Sequence, residues 1–431
     1  MTSDASPACT QAYVWIWLPE AVTPVVAGVL TRQGKRLAFN YGRSYLARRD
    51  AIPLYAPELP LRAGEIPLLP GLSMPGCLRD ASPDAWGRRV LLHRKLGQAG
   101  ADASNEDLDE LTCLLESGSD RIGALDFQSS PNQYQPRQVR KATLEELLTA
   151  AERVEQGIPL SPELALPLQH GTSVGGARPK ALIHDGERQC IAKFSTRQDL
   201  FNVVKAEFIA MRLAALAGLD VAPVRLVTAL GKDVLLVERF DRVRQEGRWR
   251  RRAMVSALTL QELDEMLAAY ASYEKLAELI RHRFAQPAQT LRELFGRMVF
   301  NILCGNTDDH ARNHAAFWDG QRLTLTPAYD LCPQSRTGGE ATQAMLIHGG
   351  VRISQIDACL AAAPNFLLSR EEAMDIVNLL TDVIEGKWET VCDEAGLNTV
   401  ERRYFWRRQF LNPFAFVGAP AGMRGPETNA G

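Results

Sequence analysis

The chain predicts an α+β fold in two lobes, a mixed β-rich N-terminal lobe followed by an all-helical C-terminal lobe, and three observations carry this. Up to about residue 250, short aromatic and β-branched segments alternate with Gly- and Pro-rich connections, as strands and turns do. From residue 255 onward apolar residues recur at helical spacing over 259–270, 272–283, 290–303, 370–384 and 399–411. Within that helical part lies a dense polar stretch, NTDDHARNHA at 306–315, followed by TPAYDL at 326–331.

Each element has its own reason. Residues 12–17, AYVWIW, read as a strand, and 25–30 and 36–41 flank TRQGK as a hairpin, so the first sheet is expected to be antiparallel. Six prolines between 52 and 82 argue for packed loops. Ser82 and Pro83 suit the cap and first position of a helix. A helical acidic stretch around 104–116, a strand over 120–127 and a linker over 128–139 follow. Thr143 and Glu146 have the spacing of a capping box. Residues 181–184 and 189–194 read as strands, and 202–217 as an amphipathic helix closed by Gly218. Val221–Leu230 and Lys232–Phe240 read as two further strands, the second joining the lobes. The segment 417–431 has the composition of a disordered tail.

Composition excludes several classes. Of 431 residues, 46% are apolar and 23% charged, which suits a globular protein able to bury a core. A formal net charge of −2 gives no global electrostatic case for nucleic acid or a membrane surface, although Arg248-Trp249-Arg250-Arg251-Arg252 is a local basic patch. The eight cysteines include no C-x-x-C pair, so neither a metal finger nor a disulfide framework is expected. No signal peptide and no membrane span are expected, and the location expected is cytoplasmic.

The polar stretch follows the apolar run Met298–Leu303, which reads as the end of a buried helix, and functional groups are often mounted on such anchored loops. Asp308 and Asn313 are five apart, the spacing of the Asp and Asn in the protein-kinase motif H-R-D-x-x-x-x-N. Phosphoryl transfer needs a carboxylate to orient the attacking hydroxyl and hard oxygen ligands for Mg²⁺. Asp308 supplies the first; Asn313 and Asp330 supply the second. Taken alone, a second reading stands: a polar turn whose Asp residues cap a helix. Upstream, Gly171–Lys180 (GTSVGGARPK) is rich in small residues that let a backbone approach phosphates, and it also reads as a glycine-rich hairpin turn. Lys193 lies among apolar residues in a strand about ten residues on, as in the V-A-I-K strand of kinases. Glu207 has the position to hold the Lys193 ammonium, or else lies on a solvated face with Lys205 or Arg212.

Eight collinear pieces together resemble the HipA family, the kinase toxins of bacterial type II toxin–antitoxin pairs: YLARRDAIPL (45–54), GCLRDASPDAWGRR (76–89), RIGALDF (121–127), SVGGARPKALI (173–183), AKF (192–194), VERFDR (237–242), NTDDHARNHA and TPAYDL. The likeness runs from about residue 13 to 412. It implies a two-lobed protein-kinase-like (HipA-like) fold, with a HipA N-terminal subdomain at 12–130, a kinase N-lobe core at 140–250, a helical C-lobe at 251–416 and the tail at 417–431. It implies a serine/threonine protein kinase using ATP and Mg²⁺, with Asp308 as catalytic base, His310 beside it and near the phosphates, and Asn313 and Asp330 on the metal. Ser173, Val174, Gly175, Gly176 and Ala177 would cover the nucleotide, Lys180, Lys193 and Glu207 would serve its phosphates, and Glu238, Arg239 and Phe240 its adenine. Ser173 aligns with the serine that family members autophosphorylate, with Thr172 as a competing acceptor.

The resemblance further implies a translation component as target, an aminoacyl-tRNA synthetase by analogy, and a HipB-like helix-turn-helix antitoxin that carries most of the contact with operator DNA. Two other readings stand beside it: a catalytically silent kinase fold acting as co-repressor or scaffold, and a small-molecule kinase. The chain departs from H-R-D, since His310 follows Asp308 instead of preceding it. Asp309, Gly in some relatives, either binds metal or caps the loop. His314 is expected to pack.

Overall fold

The computed structural model describes residues 9–99, 108–137, 142–158, 160, 168, 176–185, 187–196, 199–336, 338–420 and 423. The chain forms two compact units, the first comprising 1–196, 228–255 and 317–321 and the second 197–227, 256–316 and 322–431. Among the described residues no helix is long and apolar enough to cross a membrane. All eight cysteines fall in the described residues, and no disulfide links them.

The first unit opens with a five-stranded antiparallel sheet, in the order Glu65–Ile66, Arg36–Tyr41, Val25–Gln33, Gln11–Ile16, Leu125–Gln128. Its hairpin is set by Gln33 pairing with Arg36 across a turn in which Gly34 takes φ +61°. Inward-facing Val14, Ala27, Leu30, Phe39 and Phe127 are buried. A second sheet brings Lys180–Asp185, Arg188–Phe194 and Lys232–Glu238 together antiparallel. The helix Leu144–Glu155 carries the expected capping box, with Thr143 Oγ1 accepting from Glu146 N–H and Glu146 accepting from Thr143 N–H.

Residues 120–126 and 239–242 of this unit are joined by a buried ion network. Arg121 donates to Asp126 at 2.9 Å. Asp241 accepts from Arg239, from Arg242 and from the Gly123 N–H, at 2.8–3.0 Å. Asp120 accepts from Arg239 at 2.9 Å and from Arg242 at 2.7 Å. Burial alone would raise the Asp241 carboxyl, but the Arg239 and Arg242 guanidiniums outweigh it and hold it below the ordinary carboxylate range. Arg121 and Arg137 overcome burial in the same way at Asp126.

The second unit is built on helices. Pro287–Leu303 is buried along its last ten residues and packs against Tyr273–Arg283, Ile356–Ala362 and Arg370–Glu394. Trp388 stacks obliquely on Trp406 and Phe410, with centroids 4.9 and 5.0 Å apart. The helix Val203–Leu216 ends at Gly218 (φ +86°) and packs on Arg370–Glu394, where Arg212 pairs with Glu394 at 2.8 Å. This helix therefore belongs to the second unit, although its sequence position falls within 140–250.

Several boundaries differ from the expectation. Residues 259–270 form no single helix: Ala257–Leu260 is one turn, Glu262 takes φ +59°, and a 3₁₀ segment runs over Glu265–Tyr270 capped by Asp264. The helix expected from Ser82 begins at Ala85, with the Arg88 N–H donating to the Asp84 carbonyl, and the Ser82 hydroxyl donates to Glu110 instead. The 120–127 strand is confined to Leu125–Gln128; among the described residues the acidic helix runs over Glu110–Glu116, capped by Asp109, and 104–107 lie outside them. The helix expected over 370–384 continues to Glu394, and that over 399–411 stops at Phe405. Of the expected tail, 421, 422 and 424–431 lie outside the described residues.

Candidate active site

In the second unit the helix Pro287–Leu303 delivers the polar stretch. It closes through Cys304 and then Gly305 at φ +72°, a backbone that favours glycine. A Cβ on Gly305 would lie 2.6 Å from the Gln409 carbonyl oxygen, so the turn is also closely packed. Beyond it, Asn306 Nδ2 donates to Asn301 Oδ1 at 2.9 Å, and Gln343 Nε2 donates to the Asn306 carbonyl at 3.0 Å. The Ala344 N–H donates to the Thr307 carbonyl at 3.0 Å. The loop is thus tied down on both sides before it reaches Asp308.

Asp308 is exposed, whereas its neighbour Asp309 is wholly buried. Asn313 donates from Nδ2 to the Asp308 carbonyl at 3.3 Å and from its backbone to the His310 carbonyl at 2.8 Å. A one-turn 3₁₀ helix, Ala311–Asn313, thereby folds the chain back so that the Asn313 amide meets the Asp308 backbone. Asp330 is brought to the same loop by two contacts. The Tyr329 hydroxyl donates to the Arg312 carbonyl at 2.7 Å, and Asn306 Nδ2 donates to the Asp330 carbonyl at 3.4 Å. Asp330 itself takes φ +59°. A non-glycine residue there carries backbone strain of the kind found at functional sites, and Asp tolerates it better than most. The parallel bridge of Val221 with Ala328 secures the approach, through Ala328 N–H to Asp220 carbonyl at 2.7 Å.

Three of the residues expected to do chemistry, Asp308, Asn313 and Asp330, therefore belong to one hydrogen-bonded loop system. His310 is half-buried, and its Nδ1 has no partner. Asp309 accepts from the Tyr273 hydroxyl, and His314 Nε2 lies 2.9 Å from its other oxygen. Its carboxylate is thus occupied by two side chains inside the unit, and His314 is buried but engaged. Tyr273 was not legible as a partner, because it comes from a helix 36 residues earlier. Among the described residues no group of three or more His, Cys, Asp or Glu side chains is placed to hold a metal ion. Asn313 and Asp330 are hard oxygen donors, and such a pair suits Mg²⁺, which keeps waters and substrate phosphates in its shell.

In the first unit Lys180 and Lys193 are direct cross-strand partners, with Lys180 only 3% exposed and Lys193 half-buried. Gly176 takes φ +109°, and a Cβ there would run into Lys180 Nζ, so the ammonium lies against bare backbone. Ala177 is exposed. Trp86 holds this turn from below: its N–H donates to the Gly176 carbonyl at 3.4 Å and its indole to the Lys180 carbonyl at 2.9 Å. Thr172, Ser173, Val174 and Gly175 lie outside the described residues. Glu238 is half-buried and 3.7 Å from Arg188, and Phe240 packs edge-on against Phe317 at 5.9 Å. The Arg239 guanidinium is committed to Asp120, Asp241 and the Arg121 carbonyl, so only its backbone is left to serve a ligand.

Glu207, in the second unit, is only 3% exposed, which removes the solvated-face reading. Arg212 pairs instead with Glu394, and Lys205 Nζ donates to the Gly396 carbonyl at 3.0 Å.

An α+β fold with an aspartate and an asparagine in one loop at this spacing is kinase-like. The family described as HipA-like C-terminal domain matches residues 172–388, and that described as HipA N-terminal domain matches 17–128. The chain belongs to the HipA family. It is 27% identical over 325 residues to the Sinorhizobium fredii protein Y4mE, across 68% of this chain and 71% of that one. It is 28% identical over 240 residues to the serine/threonine-protein kinase toxin HipA of Shewanella oneidensis, across 50% of this chain and 54% of that one. The fold is similar to that of the Shewanella oneidensis HipA solved with HipB and its operator DNA, with a TM-score of 0.68 and 21% identity over 94% of this chain and 97% of that one.

Proposed function

We propose that the chain is an ATP- and Mg²⁺-dependent serine/threonine protein kinase that acts as a cytoplasmic toxin. The observation that carries the reading is the exposed Asp308 carboxylate, held in one loop system with Asn313 and Asp330. Asp308 orients an acceptor hydroxyl and takes its proton. Asn313 and Asp330 hold Mg²⁺, which when bound neutralises charge on the transferred phosphoryl group. His310, which has a half-buried ring with an unsatisfied Nδ1, stands beside the base as a polar group near the phosphates. Lys180 and Lys193 attract the nucleotide phosphates: like charges directly opposed in a sheet repel, and an anionic ligand offsets that repulsion. The 173–177 segment covers the nucleotide, and the Glu238–Phe240 segment receives its adenine.

Autophosphorylation at Ser173 switches the protein off in this reading. A phosphoserine adds a charge of about −1.5 to −2 and repels bound nucleotide phosphates. The neutralising partner is a HipB-like antitoxin, a reading supported by the Shewanella relative solved with HipB and operator DNA, and in this reading the antitoxin makes most of the contact with the operator. The target is a translation component, an aminoacyl-tRNA synthetase. A phosphoproteomic comparison after a short pulse of the wild-type chain or of Asp308→Asn tests target and activity together. The reading expects one or a few phosphosites on the translation machinery that depend on Asp308, and identical phosphoproteomes contradict it.

A further inference from the structure

We propose that Asp309 is a positioning residue for the base Asp308, acting through a buried three-membered clamp with Tyr273 and His314; this rests on the kinase reading above. An acidic residue directly beside the base could instead be a second base or a metal ligand, and the geometry speaks against both. The Asp309 side chain is buried, and both of its oxygens are engaged, one by the Tyr273 hydroxyl and the other by His314 Nε2 at 2.9 Å. The two partners also meet each other, Tyr273 Oη lying 3.2 Å from His314 Nε2 with the rings edge-to-face at 5.3 Å. All three side chains are less than 5% exposed.

The Tyr273 hydroxyl is built to stay a donor. Burial, then the adjacent Asp309 charge, pushes the Tyr273 hydroxyl well above its ordinary pKa, so it keeps its proton. His314 Nε2 faces the Asp309 carboxylate from the other side, and its Nδ1 is buried without a partner. Tyr273 is itself fixed at the start of its helix, where Ser272 caps Lys275 N–H at 3.1 Å and the Tyr273 N–H donates to the Leu346 carbonyl at 2.8 Å. The clamp therefore transfers the rigidity of the Tyr273–Arg283 helix to the peptide between Asp308 and His310. A base held on such a peptide loses less orientational freedom when the acceptor arrives, and small misplacements of reacting groups cost rate steeply.

The test uses the full chain as Tyr273→Phe, which keeps the ring and removes one donor, and as Asp309→Asn, which keeps the shape and removes the charge. Two readouts are taken: hydrogen exchange of the 307–314 amides, and steady-state phosphate transfer against ATP and against Mg²⁺. Both variants should exchange these amides faster while the thermal melt stays cooperative, and kcat should fall about ten- to a hundredfold. The KM for ATP and the Mg²⁺ half-saturation should stay within about twofold of wild type, a split that a general loss of structure would not give. Unchanged exchange overturns the clamp, as does faster exchange with unchanged kcat. A Mg²⁺ requirement raised in Asp309→Asn but not in Tyr273→Phe makes Asp309 a metal ligand and overturns the proposal too. If Asp309→Asn fails to fold, Tyr273→Phe decides alone. Should the wild-type chain transfer no phosphate, the kinase reading falls, while the exchange data still decide whether the clamp exists.

Discussion

At Asp330 the carboxylate sits on backbone at φ +59°, and the conformation limits which substitution reports on chemistry alone. Asn accepts that backbone, whereas Val or Ile would add strain. Asp330→Asn should therefore fold like wild type but need about tenfold more Mg²⁺ for half-maximal transfer, since one hard ligand has lost its charge. A magnesium titration checks this, and an unchanged midpoint would remove Asp330 from the metal. In the first unit, Lys193→Ala should weaken binding of Mg²⁺–ATP in a calorimetric titration. Unchanged affinity would make Lys193 a strand residue with no ligand role. The motif spacing made Asp308, Asn313 and Asp330 legible as a set. What made Asp309 different from Asp308 was invisible, because burial of one and exposure of the other depend on Tyr273, a residue remote in sequence.

Among the elements, the helix Pro287–Leu303 and its closing glycine decide where the loop stands. The apolar run before it was legible, and so was its end. Gly305, by contrast, carries a constraint that only packing reveals, since its Cα faces the Gln409 backbone at a distance no side chain fits. Gly305→Ala combines a positive φ with that collision. It should lower stability by about 1–3 kcal/mol and slacken the loop, measurable as a drop in the denaturation midpoint; a midpoint within error of wild type would contradict this. The 259–270 segment shows the converse failure. Its apolar content suits a helix, but Ser256 and Asp264 each cap a short turn of their own, and local side-chain-to-backbone bonds won over propensity.

On the scale of the whole molecule, the two-lobed division was legible from the change of period near residue 250, yet the first unit depends on a feature that composition concealed. The arginines and aspartates of 120–126 and 239–242 form a buried network in the fold. Asp126 and Asp241 have carboxyl groups held below their unfolded value of about 3.9. Their contribution is thus present above about pH 4 and is lost as the pH falls through the depressed folded values. Asp241→Asn leaves Arg239 and Arg242 partly uncompensated and should cost about 3–5 kcal/mol. It should also flatten the acid limb of the stability curve of the full chain. An unaltered acid limb would mean that the network is not what acid breaks.

Everything proposed for this chain depends on Asp308 acting as the base of a phosphoryl transfer. The direct measurement is transfer of the labelled γ-phosphate of ATP by the purified full chain with Mg²⁺, wild type beside Asp308→Asn, with nucleotide affinity measured on the same samples. Loss of a positioned base predicts a rate lower by about 10²–10⁴ with affinity for Mg²⁺–ATP unchanged. Equal transfer by the two proteins would contradict it.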